Sequence, residues 1–171
     1  MSAVPSAGPG VGHVAMNPAW QRALPLWLVV VAWIGFWYRD TALAMWGEWM
    51  FSDTYAHGVV VAPIALWLAW RRRRELAALA PRPNGLALVL MAGAASVWFA
   101  ADLVAVHAAT QFAFVALVVL SVAAVLGIDV ARALMFPLGF LFFAVPFGDF
   151  MIEPLMEWTA DFVVVALRFS G

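Results

Sequence analysis

Apolar residues in this chain come in long, nearly unbroken runs, without the alternation or three-to-four spacing by which a water-facing strand or helix hides one side. Five runs follow one another, at 23–38, 55–70, 85–101, 108–126 and 133–145. Charges or turn formers bound them. The first lies between Arg22 and Arg39, and the second stops at Arg71-Arg72-Arg73-Arg74. The third follows Pro81-Arg82-Pro83-Asn84-Gly85, and the fifth lies between Arg132 and Pro146. Several fall short of the roughly 20 residues that cross a bilayer, although the first can extend through the mostly apolar stretch 41–51. Lipid offers the backbone no hydrogen-bond partners and the alternation of a membrane β-barrel is absent, so the runs must be helical. The pattern predicts an all-α polytopic integral membrane protein with about five transmembrane helices. Residues 1–22, rich in Gly, Pro, Ala and Ser and without a hydrophobic period, read as a flexible tail. A signal peptide is the alternative for the first run, because Ala42-Leu43-Ala44 resembles a cleavage site. Against it, no positive charge precedes Arg22, and the stretches that follow are themselves membranous.

Composition turns this pattern into exclusions. Of 171 residues, 66% are hydrophobic and 11% charged, too few charges to surface a water-soluble enzyme; the partner for the apolar excess is the lipid bilayer. A net charge of −1 and a single basic cluster exclude nucleic acid as a partner. No residue is Cys, which removes disulfides, thiolate metal sites and a thiol nucleophile from within these residues. Arg placement gives orientation. With the tail inside, Arg22, Arg71 to Arg74, Arg82 and Arg132 fall on the inner side, leaving Arg39 and Arg168 outside, so the positive-inside rule places the N-terminus in the cytoplasm. The same topology puts His57, His107 and every acidic residue except Glu75 and Asp129 on the outer side.

Three stretches can carry chemistry. Ser52, Asp53 and Thr54 are candidate N-caps that would place His57 in the first turn of the second apolar helix, with Pro63 kinking it. At the positive end of a helix dipole an imidazole suits accepting or relaying a proton; equally, His57 can serve only to bond a neighbouring loop. His57 and His107 together raise a haem reading by axial ligation, but both fall near helix ends. No metal-ligand spacing appears, and neither a metal nor a cofactor is expected. Asp102, Asp149 and Asp161 raise an aspartyl intramembrane protease, but they lie toward segment ends. The third stretch is a helix expected over 154–169, starting at Pro154, that gathers Glu157, Asp161 and Arg168 into a narrow charged stripe. Such a stripe reads as an interfacial helix, amphipathic or re-entrant, or as one wall of an outward-facing polar cavity.

Two separated segments carry a resemblance. Residues 49–74, from Trp49 through Ser52-Asp53-Thr54-Tyr55-Ala56-His57-Gly58 to the Arg cluster, resemble the N-terminal signature of exosortases. Residues 142–171, including Val145-Pro146-Phe147-Gly148-Asp149, resemble the segment just ahead of their active site, most nearly in the exosortase A subgroup. The resemblance covers about 46–171 and makes 23–171 the N-terminal portion of an exosortase membrane domain. It implies a bacterial inner-membrane cysteine peptidase or transpeptidase that processes proteins bearing the PEP-CTERM sorting signal on the periplasmic side, in cells that export exopolysaccharide. The family's Cys, Arg and His are expected beyond the position of Gly171, so no catalytic residue carries over, and this chain alone is expected to be inactive. His57, Trp158 and Asp161 are the candidates for lining or supporting the periplasmic chamber. A non-catalytic membrane transport or haem-binding protein is the alternative.

Overall fold

A computed structural model describes residues 18–146 and 149–170 of the chain. All five apolar runs are helical and no strand occurs among the described residues, so this is an all-α membrane protein. The first run forms α1 (Trp20–Trp37). The chain does not continue straight into the apolar stretch that follows. Tyr38 leaves helical geometry at φ −101° and ψ 26°, and α2 (Arg39–Phe51) departs at 80° to α1. A hydrophobic pattern cannot show such a corner, because what fixes it is distant in sequence. The Tyr38 ring meets Trp98 edge-on at 4.7 Å, and Trp98 Nε1 donates to the hydroxyl of buried Thr41 at 3.0 Å. The exposed pair Arg39–Asp40 stands at the corner itself.

The second run gives α3 (Gly58–Arg71), which continues through Pro63, and the short α4 (Arg73–Ala78). The third is α5 (Gly85–Leu103), whose first amides are capped by Asn84: its Oδ1 accepts from Leu86 N at 2.9 Å and Ala87 N at 3.3 Å. The fourth is α6 (His107–Ser121), continued by one π-helical turn, Val122–Leu126. The fifth is divided into α7 (Ile128–Ala133) and α8 (Met135–Phe140), the latter followed by a 3₁₀ turn, Leu141–Ala144. α9 (Asp149–Ser170) closes the described chain. Of these, α5 and α6 with its π turn are long and apolar enough to span a membrane singly, and α1 with α2 qualifies as a bent pair. The helices Gly58–Arg71 and Met135–Ala144 are apolar but shorter.

The bundle is organised around α6, which is far more buried than its antiparallel neighbour α5. At one end Trp20, Val122, Leu126, Val130 and Leu134 form a core, and Trp20 Nε1 donates to the Leu79 carbonyl at 2.9 Å. The π turn explains how the loop 79–84 is seated there. Widening the helix turns carbonyls of the last turn outward, and those of Ala124 and Leu126 accept from the amides of Asn84 (3.1 Å) and Arg82 (3.2 Å). Gly127, at φ +101°, lies so close to the Arg82 carbonyl that no Cβ fits. Thus the Arg-rich connections gather at this end. At the other end Met45, Val115 and Val145 form a second core with Trp49 and Phe142 packed against it.

α9 differs from the expected helix in where it begins. It starts at Asp149 and so carries Pro154 inside the helix at the cost of one intrahelical hydrogen bond. Residues 155–169 are exposed throughout, on the apolar positions as much as on Glu157, Asp161 and Arg168.

Candidate functional site

The end of the bundle away from the Arg cluster holds a cavity of about 240 Å³, set in the corner between α1 and α2 and closed by the C-terminal end of α5 and the first turn of α6. Tyr38, Asp40, Thr41, Asp102, His107, Thr110 and Gln111 line it, with Trp37 and Trp98 as aromatic walls. A tight connection brings Asp102 and His107 together. The Val106 amide bonds back to Ala101 O at 2.9 Å and the Ala105 amide to Asp102 O at 3.1 Å, with Ala105 in the left-handed region at φ +55°. That ends α5 as a glycine usually would, with an alanine bearing the strain. Thr110 Oγ1 donates to His107 O at 2.8 Å and fixes the opening turn of α6.

Gln111 is the deepest polar group in the cavity wall, with 2% of its surface exposed. Its Nε2 donates to both oxygens of Glu48, at 3.0 and 2.9 Å, which holds α2 to α6. This bond also fixes the orientation of the amide, because the reversed amide would turn its oxygen onto the carboxylate. Gln111 Oε1 is then a buried acceptor with no hydrogen-bond partner. Carboxylates and hydroxyls make the cavity rich in acceptors. Such a set binds and orients N–H and O–H donors, and His107 at its edge can move a proton. It supplies no thiol, since the chain contains no Cys.

One residue further along α2, Trp49 Nε1 donates to Ala144 O at 2.8 Å. The indole lies directly over Gly58, where a Cβ would collide with Cδ1, Nε1 and Cε2 of the ring. Gly58 is therefore required by this close approach, and the contact joins the 49–74 segment to the beginning of the 142–171 segment. These two stretches, almost 70 residues apart in the chain, form one junction beside the cavity.

The family model described as transmembrane exosortase matches residues 46–171, more than half of the chain and inclusive of the whole junction. The chain belongs to the transmembrane exosortase family. No curated protein and no solved structure matches it.

In this exosortase chain the residues singled out from sequence are placed unequally. His57 takes the N-cap position of α3, not its first turn, because Ser52 ends α2 and the chain makes further turns over 53–57 before the helix begins. Ser52, Asp53 and Thr54 therefore do not cap α3. Exposed next to the junction glycine, the His57 ring donates from Nδ1 to Thr54 O at 3.2 Å. Trp158 and Asp161 are exposed on α9, and neither they nor His57 line the cavity. His107 lines it without His57, so the two histidines are not gathered around one cavity. Of the three aspartates, Asp102 lines the cavity, Asp161 is on α9, and the side chain of Asp149 lies outside the described residues. Sequence reasoning missed Glu48, Gln111, Thr41, Trp98 and Gly58. The available signal was Thr110-Gln111, a polar pair inside an otherwise apolar run, since polar groups at membrane depth are costly unless partnered.

Proposed function

We propose that this exosortase chain forms the membrane scaffold and outward-facing substrate chamber of a cysteine peptidase or transpeptidase that processes PEP-CTERM sorting signals. Family membership supports the reading, and the observation that carries it is the Trp49–Gly58–Ala144 junction, which draws both motif segments to the acceptor-rich end of the bundle. The Arg bias supports a multi-pass protein of the bacterial inner membrane with its N-terminus in the cytoplasm and this end in the periplasm. Processing of sorting signals there belongs to export linked to exopolysaccharide.

The chemistry assigns parts. A thiolate attacks the scissile carbonyl, a base or cation lowers the thiol pKa, and donors hold the oxyanion of the acyl-enzyme step. None of the 171 residues is Cys, so the nucleophile comes from outside them. The acceptors around Gln111 hold the polar groups of the sorting signal, while His57, Trp158 and Asp161, which lie outside that cavity, support the chamber from its surroundings. The test is a reporter protein ending in a PEP-CTERM signal, co-expressed with a reading frame that includes the thiol. His57→Ala, Trp158→Ala and Asp161→Asn are each expected to lower processing several-fold, and these 171 residues alone to leave the reporter intact. Processing at the unsubstituted rate in all three variants overturns the chamber assignment. Processing by the 171 residues alone overturns the thiol mechanism.

A further inference from the structure

Where α3 ends against α8, a second cavity of about 320 Å³ is lined by Leu68, Arg71, Arg72, Phe136 and Pro137. Two of the five lining residues are arginines, and the other three are apolar. The two arginines are held differently. Arg72 is anchored: its Nη1 donates to Ala133 O at 2.6 Å and lies 3.8 Å from Glu75 Oε2. The Arg71 guanidinium lies over the Trp67 ring, 5.0 Å from its centroid, and no carboxylate pairs with it among the described residues. Arg73 is stacked likewise over Trp70 at 5.1 Å. Nearby acids do not balance the cluster, because Asp129 is paired with Arg132 at 3.8 Å and Glu75 is the one carboxylate facing four arginines. The cavity thus sets two like charges side by side, of which Arg72 is shared with Glu75 and Arg71 has no carboxylate partner among the described residues.

The aromatic residues around this end point to the class of counter-ion. Trp67, Trp70 and Phe136 are all more than half exposed around this end, the arrangement of an aromatic belt at headgroup level. The anion available at that level is a phosphate, and guanidinium groups match phosphate oxygens in charge and in fork geometry. Leu68, Phe136 and Pro137 supply a surface on which hydrocarbon can lie, which a free phosphate ion does not use. We propose that this cavity binds the headgroup phosphate of an anionic phospholipid between Arg71 and Arg72, with an acyl chain along Leu68 and Phe136. The site is independent of the peptidase reading.

Native mass spectrometry of the purified protein, released from detergent with added phosphatidylglycerol or phosphatidylcholine, tests this. Phosphatidylglycerol is expected to be retained over phosphatidylcholine, and Arg71→Gln to lower its retention about tenfold, as loss of one charge-assisted bond predicts. Arg74→Gln removes the same charge from a residue outside the cavity and is expected to change retention less than about twofold. Apart from its stacking on Trp67, the Arg71 side chain makes no hydrogen bond or ion pair among the described residues, so unchanged helical circular dichroism in Arg71→Gln is expected alongside the loss. Equal retention of the two lipids, or equal loss in the Arg71 and Arg74 variants, overturns the site. Displacement of phosphatidylglycerol by millimolar inorganic phosphate overturns the lipid as its occupant.

Discussion

Replacing Gly58 by Ala tests the junction on which the functional reading rests. A Cβ at this position falls well inside contact distance of three indole atoms of Trp49, and because Gly58 is buried at the start of α3 the indole has to give way. Overpacking of this kind costs about 1–3 kcal/mol. One of the displaced atoms is Nε1, whose 2.8 Å bond to Ala144 O has only about 0.5 Å of slack before it ceases to be a hydrogen bond. Ala144 is buried, and an unsatisfied carbonyl there costs about a further 1–3 kcal/mol. Gly58→Ala should therefore destabilise by roughly 2–6 kcal/mol, whereas Trp49→Phe forfeits chiefly the hydrogen bond, about 1–3 kcal/mol. The decisive measurement is a double-mutant cycle with Trp49→Ala, followed by helical circular dichroism during unfolding in detergent. Removing the indole removes the clash, so the double variant should cost about 2 kcal/mol less than the sum of its parts. Additivity to within about 0.5 kcal/mol would refute the contact.

Three further outcomes are expected from the same unfolding assay. Gln111→Leu should destabilise by about 1.5–3 kcal/mol, because Glu48 loses both hydrogen bonds from Nε2; a loss below about 0.5 kcal/mol would mean that the pair does not hold α2 to α6. Gly127→Ala should cost more than about 2 kcal/mol, combining a left-handed backbone with collision against the Arg82 carbonyl; a neutral result would contradict the seating of the loop on the π turn. Ala105→Gly should stabilise by about 0.5–1 kcal/mol, since glycine relieves the positive φ at slightly greater entropic cost in the unfolded chain; destabilisation would show that the alanine is not strained.

Hydrophobic run length was sufficient to find the helices, because the lack of backbone partners in lipid leaves no other choice for segments such as 85–101 and 108–126. It was insufficient for the corner at Tyr38. That corner depends on Trp98, some 60 residues away, and no local pattern contains the pairing. The same limit explains the candidate site. His57 was singled out because it is polar and near a predicted helix start, yet the start moved by several residues when Ser52 ended α2 instead of capping α3. Gln111 was passed over because a single amide in an apolar run shows its importance only once Glu48 is brought against it. Gly58 was visible inside the family motif, but its reason, the indole above it, is a tertiary fact.

The shortness of α3 has a consequence for the surrounding membrane. Its 14 residues extend about 21 Å, against about 30 Å for an average hydrocarbon core. The 3₁₀-terminated helix Met135–Ala144 beside it is shorter still. A bilayer that wets both ends of this pair must dimple inward around it, at a cost of fractions of a kcal/mol per Å of mismatch. Such a depression lets water approach the polar end of the bundle from above and makes the protein sensitive to acyl-chain length. In shorter-chain lipid the strain is relieved, so the thickness of the host membrane becomes a variable that bears on stability.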